Sequence, residues 1–149
     1  MKKNRKKILA TTLVAGSLLA MPTEALANNY TDTRFSFHLP YDSSVAYTNF
    51  RQKMDRSKCY IKCTDAYLYF YVKVEGASSA SATSGVDCSH GNTTGYGQII
   101  YTGTETLLTN RVYEKGYRYA RLRAHAKTSP YDTGAYGVWS PDNYAGVGN

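Results

Sequence analysis

The feature that most constrains this chain is strict two-residue alternation of apolar and polar side chains. From Ala66 to Val74 the even positions are Leu68, Phe70, Val72 and Val74, and the odd ones are Tyr67, Tyr69, Tyr71 and Lys73. Arg34 to Leu39 repeats the pattern with Phe35, Phe37 and Leu39. Further on, Ala120, Leu122, Ala124 and Ala126 alternate with Tyr119, Arg121, Arg123, His125 and Lys127. Alternation places the two sets on opposite faces of an extended strand, so each run suits a sheet with one buried face and cannot form an amphipathic helix. Shorter strands are expected at Cys59–Ile61–Cys63, at Tyr96 to Tyr101 and at Ala135 to Trp139. Thr104 to Tyr113 is expected to be strand or extended linker, although Thr102 and Glu105 have capping-box spacing. Val45 to Met54 is only weakly patterned. Turn residues separate the runs at Pro40–Ser43, Glu114–Gly116, Ser129–Thr133 and Ser140–Asn143. Six or seven short strands without a helix predict an all-β fold, a small antiparallel β-sandwich.

The N-terminus follows other rules. Five of the first seven residues are Lys or Arg, and Ile8 to Ala20 is an apolar run of 13 residues. That run is short of the roughly 20 residues a membrane-spanning helix needs, and it leads to the small-residue site Ala25–Leu26–Ala27. Residues 1–27 are therefore expected to be a secretory signal peptide cleaved after Ala27. Residues 28–149 would form one extracellular domain with no transmembrane segment.

Removing the leader changes the charge argument. It takes away five of the 18 basic and one of the 11 acidic side chains, leaving a net charge of +3 rather than +7. A value of that size is ordinary for a domain and gives no reason to expect a nucleic-acid partner. The remaining chain has 15 Leu, Ile and Val against 20 aromatics, 15 of them Tyr. Aromatics are thus expected to build much of the core, with many Tyr half-buried and their hydroxyls at the surface.

Residues 76–95 are rich in Gly, Ser and Thr and predict a long flexible loop, with Cys88 inside it. In an oxidising compartment three cysteines suggest one disulfide. Cys59 and Cys63, four apart on an extended strand, would have Cα atoms roughly 13 Å apart, too far for a bond. Cys88 should therefore pair with one of them. Cys63 is the expected partner because it lies nearer the base of the loop, and Cys59 is the alternative. Closing the loop would contribute about 3–4 kcal/mol. The same cysteines with His90 make a tetrahedral zinc set conceivable, but the spacing lacks the tight hooks of structural zinc sites, and no metal or other cofactor is expected.

No catalytic constellation stands out. Asp87–Cys88–Ser89–His90 are chain neighbours, which cannot supply the mutual geometry of a triad. His38 and His125 fall on polar strand faces. Two surfaces could bind a partner. Tyr67, Tyr69 and Tyr71 form a ladder spaced about 6.6–7 Å, fit to stack on sugars or protein. Tyr117, Tyr119, Arg121, Arg123, His125 and Lys127 give a basic face suited to anionic wall polymers or lipid headgroups. For each, ordinary cross-strand packing or a solvated strand face is the competing explanation.

Phe35–Leu39, Arg51–Ser57 leading into Tyr60–Lys62, Glu114–Tyr117 and Val138–Asp142, in this order, resemble an uncharacterised family of small exported proteins from Gram-positive bacteria. The resemblance spans most of the chain after Ala27 and implies a secreted β protein with no active-site residue to carry over. Size, export and tyrosine-rich strands also make it loosely similar to lactococcin-like β-sandwich bacteriocins. The expected function is non-enzymatic binding at a bacterial surface, to a cell-wall polymer or other envelope component, with a bacteriocin-like role as the sharper version. The alternatives are a secreted hydrolase with an unrecognised site and a self-associating structural protein.

Overall fold

A computed structural model describes residues 29–40, 45–91, 94–126 and 132–143. The expected leader at 1–27 lies outside these, as do residues 41–44, Lys127 and residues 129–131 of the turn expected at Ser129–Thr133. Ten strands follow one another: β1 (Thr33–Leu39), β2 (Val45–Tyr47), β3 (Arg51–Gln52), β4 (Cys59–Ala66), β5 (Phe70–Ala77), β6 (Val86–Asp87), β7 (Gln98–Ile100), β8 (Glu105–Leu108), β9 (Tyr119–His125) and β10 (Thr133–Ser140). No helix occurs among the described residues. All pairings are antiparallel. One sheet has the order β1-β10-β4-β8. In the other, β9 and β5 lie side by side, with β2 and β3 sharing the outer edge of β9 and β6 and β7 that of β5. The result is a sandwich-like pair of sheets.

Alternation dictates what lies between the sheets. Phe35, Phe37 and Leu39 of β1, Cys59, Ile61 and Cys63 of β4, and Ala135 and Trp139 of β10 line one side. Phe70, Val72 and Val74 of β5 with Ala120, Leu122 and Ala124 of β9 line the other. Aromatics contribute Phe35, Phe37, Phe50, Phe70, Trp139 and only one tyrosine, Tyr71, to the buried set. Of the 12 described tyrosines, seven are exposed and four half-buried. The expectation that many Tyr are half-buried is thus corrected, since most of those described are exposed and lie outside the core. Phe, Trp and aliphatic residues fill it, because a buried phenol must find a hydrogen-bond partner and a Phe need not.

The run from Ala66 to Val74 is not one strand. β4 ends at Ala66 and β5 starts at Phe70, and Tyr67–Tyr69 carry the chain from one sheet to the other. The break is imposed by the core. Ile61 and Cys63 face inward from one sheet and Phe70 and Val72 from the other, so a continuous strand could serve only one of them. The weakly patterned segment after Val45 supplies β2 and β3, which pair with His125–Arg123 and Ala120–Tyr119 of β9. β8 realises the strand alternative for the stretch after Thr104.

Within the span 76–95, part of the described chain is strand. Gly76 and Ala77 belong to β5, and β6 folds back so that Glu75 and Gly76 pair with Asp87 and Val86. The Cys88 N–H donates to the Val74 carbonyl at 2.8 Å, and Ser89 bridges to Asn110. Gly76 permits this return, since a Cβ there would stand 2.9 Å from Cys88 Sγ and from the Tyr117 ring.

Two of the short sequence stretches shared with the family-like pattern meet at one end of the sandwich. Lys53 and Asp142 are both fully buried. The Lys53 ammonium donates to the carbonyls of Ser57 (2.5 Å) and Pro141 (2.7 Å) and to Asp142 Oδ1 (3.1 Å). Asp142 Oδ2 accepts from the backbone N–H groups of Asn29 and Met54, each at 2.9 Å. All three ammonium protons and both carboxylate oxygens are therefore engaged, as a buried ion pair requires. Arg51 adds a bond to the Trp139 carbonyl (3.0 Å), lies over its ring and reaches Asn29 Oδ1 (2.9 Å).

Candidate functional site

The cysteines do not form the expected pair. Cys59, Cys63 and Cys88 are three separate buried thiols. Cys63 hydrogen-bonds the Asp65 carbonyl at 3.5 Å, whereas the amide of Asn110 donates to Cys59 Sγ at 3.5 Å. Asn110 also bridges through its backbone to Ser89, beside Cys88, so the loop cysteine is tied through Asn110 to the surroundings of Cys59. The base of the loop is held by β6 pairing on β5, which sequence distance alone did not reveal. Burial pushes the Cys59 thiol up to about 11 and raises those of Cys63 and Cys88 as well. Among the described residues no three His, Cys, Asp or Glu side chains are grouped to hold a metal ion. His90, from the conceivable zinc set, is instead exposed and sits 2.9 Å from an Arg111 guanidinium nitrogen.

Asp87, Ser89 and His90 turn to different tasks. Asp87 accepts from Lys73 (2.8 Å) and from the Ser89 N–H (3.0 Å), and the Ser89 hydroxyl accepts from the Val74 N–H (3.0 Å). Burial works to raise the Asp87 carboxyl, and the hydrogen bonds from Lys73 and Ser89 outweigh it, leaving it below the usual carboxylate range. The segment is a brace, with the Ser89 hydroxyl bound to Val74 and the His90 ring to Arg111.

The two surfaces expected from sequence become neighbours. β5 and β9 pair so that Tyr71 stands opposite His125, Lys73 opposite Arg123, Glu75 opposite Arg121 and Ala77 opposite Tyr119. Residues directly opposite on one face lie close enough to interact, so the aromatic and basic runs merge on the outer side of the six-stranded sheet. Tyr67 is 71% exposed at the crossover and does not join that face through a strand. Tyr69 meets Tyr71 edge-on, with ring centroids 5.9 Å apart, and Tyr101 lies 5.9 Å from Tyr69. Tyr96 then covers both Tyr71 (5.7 Å) and His125 (5.3 Å, nearly parallel). A continuous aromatic chain thus runs Tyr101, Tyr69, Tyr71, Tyr96, His125.

Its basic members differ in availability. Arg121 is clamped between the rings of Tyr47 (4.1 Å) and Phe50 (4.5 Å) and bound to Glu75 Oε2 at 2.7 Å. With both partners nearly buried, Arg121 holds the sheet together. Tyr119 and Tyr117 are half-buried. Arg123 keeps 36% of its side chain exposed and only approaches Glu75, at 3.9 Å. Lys73, Arg123, His125, Gly95 and Tyr96 line an open recess of about 210 Å³. Burial, then the charges of Arg123 and Lys73, hold the His125 imidazole below its ordinary value. Its buried Nδ1 has no hydrogen-bond partner among the described residues.

Tyr96 and Lys73 were not among the expected binding residues. Lys73 shares the odd positions of the Tyr ladder, but only the β5–β9 register sets it against Arg123. Tyr96 depends on Gly97, whose φ is +116° and where a Cβ would be 2.3 Å from the Val72 carbonyl oxygen. That close passage lets the lead-in to β7 climb over β5 and lay Tyr96 on β9.

No curated protein and no solved structure matches the chain. A family model described as "Protein of unknown function (DUF2712)" matches residues 22–143, from ahead of β1 to the buried Asp142 and its neighbour. With that match covering most of its length, the chain belongs to the DUF2712 family.

Proposed function

We propose that the protein is exported from a Gram-positive cell, cleaved after Ala27, and acts without catalysis by binding a polymer of a bacterial envelope, the producer's or a competitor's. One observation carries this: the aromatic and basic strand faces come together as a single outer surface, Tyr69, Tyr71, Tyr96 and Tyr101 leading to Lys73, Arg123 and His125. Exposed rings beside cations suit a partner that offers flat sugar faces and negative charge. Asn29, two residues past the expected cut, is hydrogen-bonded to Asp142, Gln52 and Arg51, which suits a domain whose fold starts directly after the leader.

Co-sedimentation with purified cell walls tests the proposal. Wild-type protein should pellet with walls, and Arg123→Glu with Lys73→Glu should abolish pelleting while leaving the far-ultraviolet circular dichroism unchanged. Pelleting that survives both charge reversals would assign the surface another task. The sharper bacteriocin-like form rests on likeness in size, export and tyrosine-rich strands to lactococcin-like proteins, and predicts growth inhibition of related strains.

A further inference from the structure

We infer that the recess between Lys73, Tyr96, Arg123 and His125 is a subsite for the phosphate group of a phosphorylated sugar in a glycan chain. The inference rests on the envelope-binding reading for its setting, and on geometry for its chemistry.

Four features converge. Lys73 and Arg123 are directly opposed across β5 and β9, which places an ammonium and a guanidinium on the same wall. Lys73 is neutralised by Asp87 at 2.8 Å, whereas among the described residues Arg123 has only the 3.9 Å approach of its Nε to Glu75. The recess therefore keeps a net positive charge, and a guanidinium fork can hold two oxygens of a tetrahedral anion, with Lys73 beside it as a point charge. The stacked Tyr96 and His125 rings make a flat second wall, and a volume of about 210 Å³ exceeds what a lone phosphate would fill, leaving room for an attached ring. Tyr69 and Tyr101, both exposed, continue the aromatic line away from the recess, so a chain of sugars would find further surfaces.

The site also couples to a proton. The charged or titratable groups facing His125 are Arg123 on its own strand, Lys73 and Tyr71 on β5, and Tyr96 ahead of β7, while the paired residue on β2 is Val45. An anion seated beside Lys73 and Arg123 offsets the two charges that oppose protonation of His125. Binding should raise the His125 titration midpoint and tighten as pH falls.

The test titrates glucose 1-phosphate into the full chain, following backbone and imidazole NMR signals, with glucose, glucuronate and inorganic phosphate in parallel. Saturable shifts centred on Lys73, Tyr96, Arg123 and His125 are expected at millimolar concentration, weaker ones with inorganic phosphate and none with glucose. Arg123→Gln and Lys73→Gln, each with an unchanged dichroism spectrum, should each weaken binding about tenfold or more. No saturable shift with either phosphate probe overturns the inference, as does equal binding of glucuronate, or affinity unchanged in both variants. Sedimentation with phosphatidylglycerol vesicles in preference to walls assigns the phosphate to a lipid and overturns the glycan assignment. The two proposals fail separately. Wall pelleting without a phosphate response leaves the envelope reading standing and removes the subsite, whereas a phosphate response without wall pelleting does the reverse.

Discussion

Replacing Lys53 with Met should destabilise the fold severely, although the side chain never touches solvent and the volume is nearly kept. The substitution removes the donor to Ser57, to Pro141 and to Asp142 Oδ1, and leaves the Asp142 carboxylate buried with only the Asn29 and Met54 N–H groups. Breaking a buried pair by deleting one partner costs about 3–5 kcal/mol, set against a total stability of roughly 5–15 kcal/mol for a domain. With an m-value of roughly 1–2 kcal/mol/M, the urea midpoint should fall by about 1.5–5 M. Removing Asp142 as well, in Lys53→Met with Asp142→Leu, eliminates the stranded charge, but the N–H groups of Asn29 and Met54 then lose their acceptor. The double variant should therefore be less damaged than the sum of the singles, yet weaker than the wild type. Equilibrium urea unfolding of the four proteins measures this directly. A loss under about 1 kcal/mol for Lys53→Met, or strict additivity in the cycle, would refute the view that this pair holds the end of the sandwich.

Other expectations follow from single features. Cys59, fully buried and with its thiol raised to about 11, should resist alkylation at pH 8 in native protein and react once urea unfolds the chain; fast native labelling would contradict its placement. His125 has its folded-state value lowered, so the unfolded chain binds the extra proton first. Stability should be complete above the ordinary imidazole range and decline as pH falls below about 6.5, and His125→Phe should flatten that decline in thermal melts at pH 7 and pH 5. Gly97→Ala forces a Cβ against the Val72 carbonyl at a positive φ and should destabilise by about 1–3 kcal/mol, with loss of the ring-current shift that Tyr96 imposes on His125.

The strands around Phe35, Val72, Leu122 and Trp139 were legible because alternation records which face is buried, and burial is what a sandwich demands. The corner at Tyr67–Tyr69 was not, because alternation is unbroken there while the chain changes sheets. β2, β3 and β6 are two or three residues long and owe their existence to the neighbours β9 and β5, so no local pattern announces them. The candidate site was half legible. Tyr71, Arg123 and His125 followed from periodicity, but their union with Lys73 is a matter of cross-strand register, and Tyr96 reaches them only through the crossing at Gly97. The cysteines misled for the same reason. Nearness in sequence favoured Cys63, whereas it is Cys59 that shares Asn110 with the neighbour of Cys88.

The buried Lys53–Asp142 pair has a further meaning in time. Asp142 lies 89 residues after Lys53 and 113 after Asn29, and among the described residues β1 pairs in its sheet with β10. Neither the pairing of β1 with β10 nor the ion pair can form until the chain is available through Asp142, and such long closures are slow. Under the export proposed above this order of events would be useful: a sandwich that cannot close before β10 is made would leave the polypeptide threadable through a translocation channel until β10 has emerged.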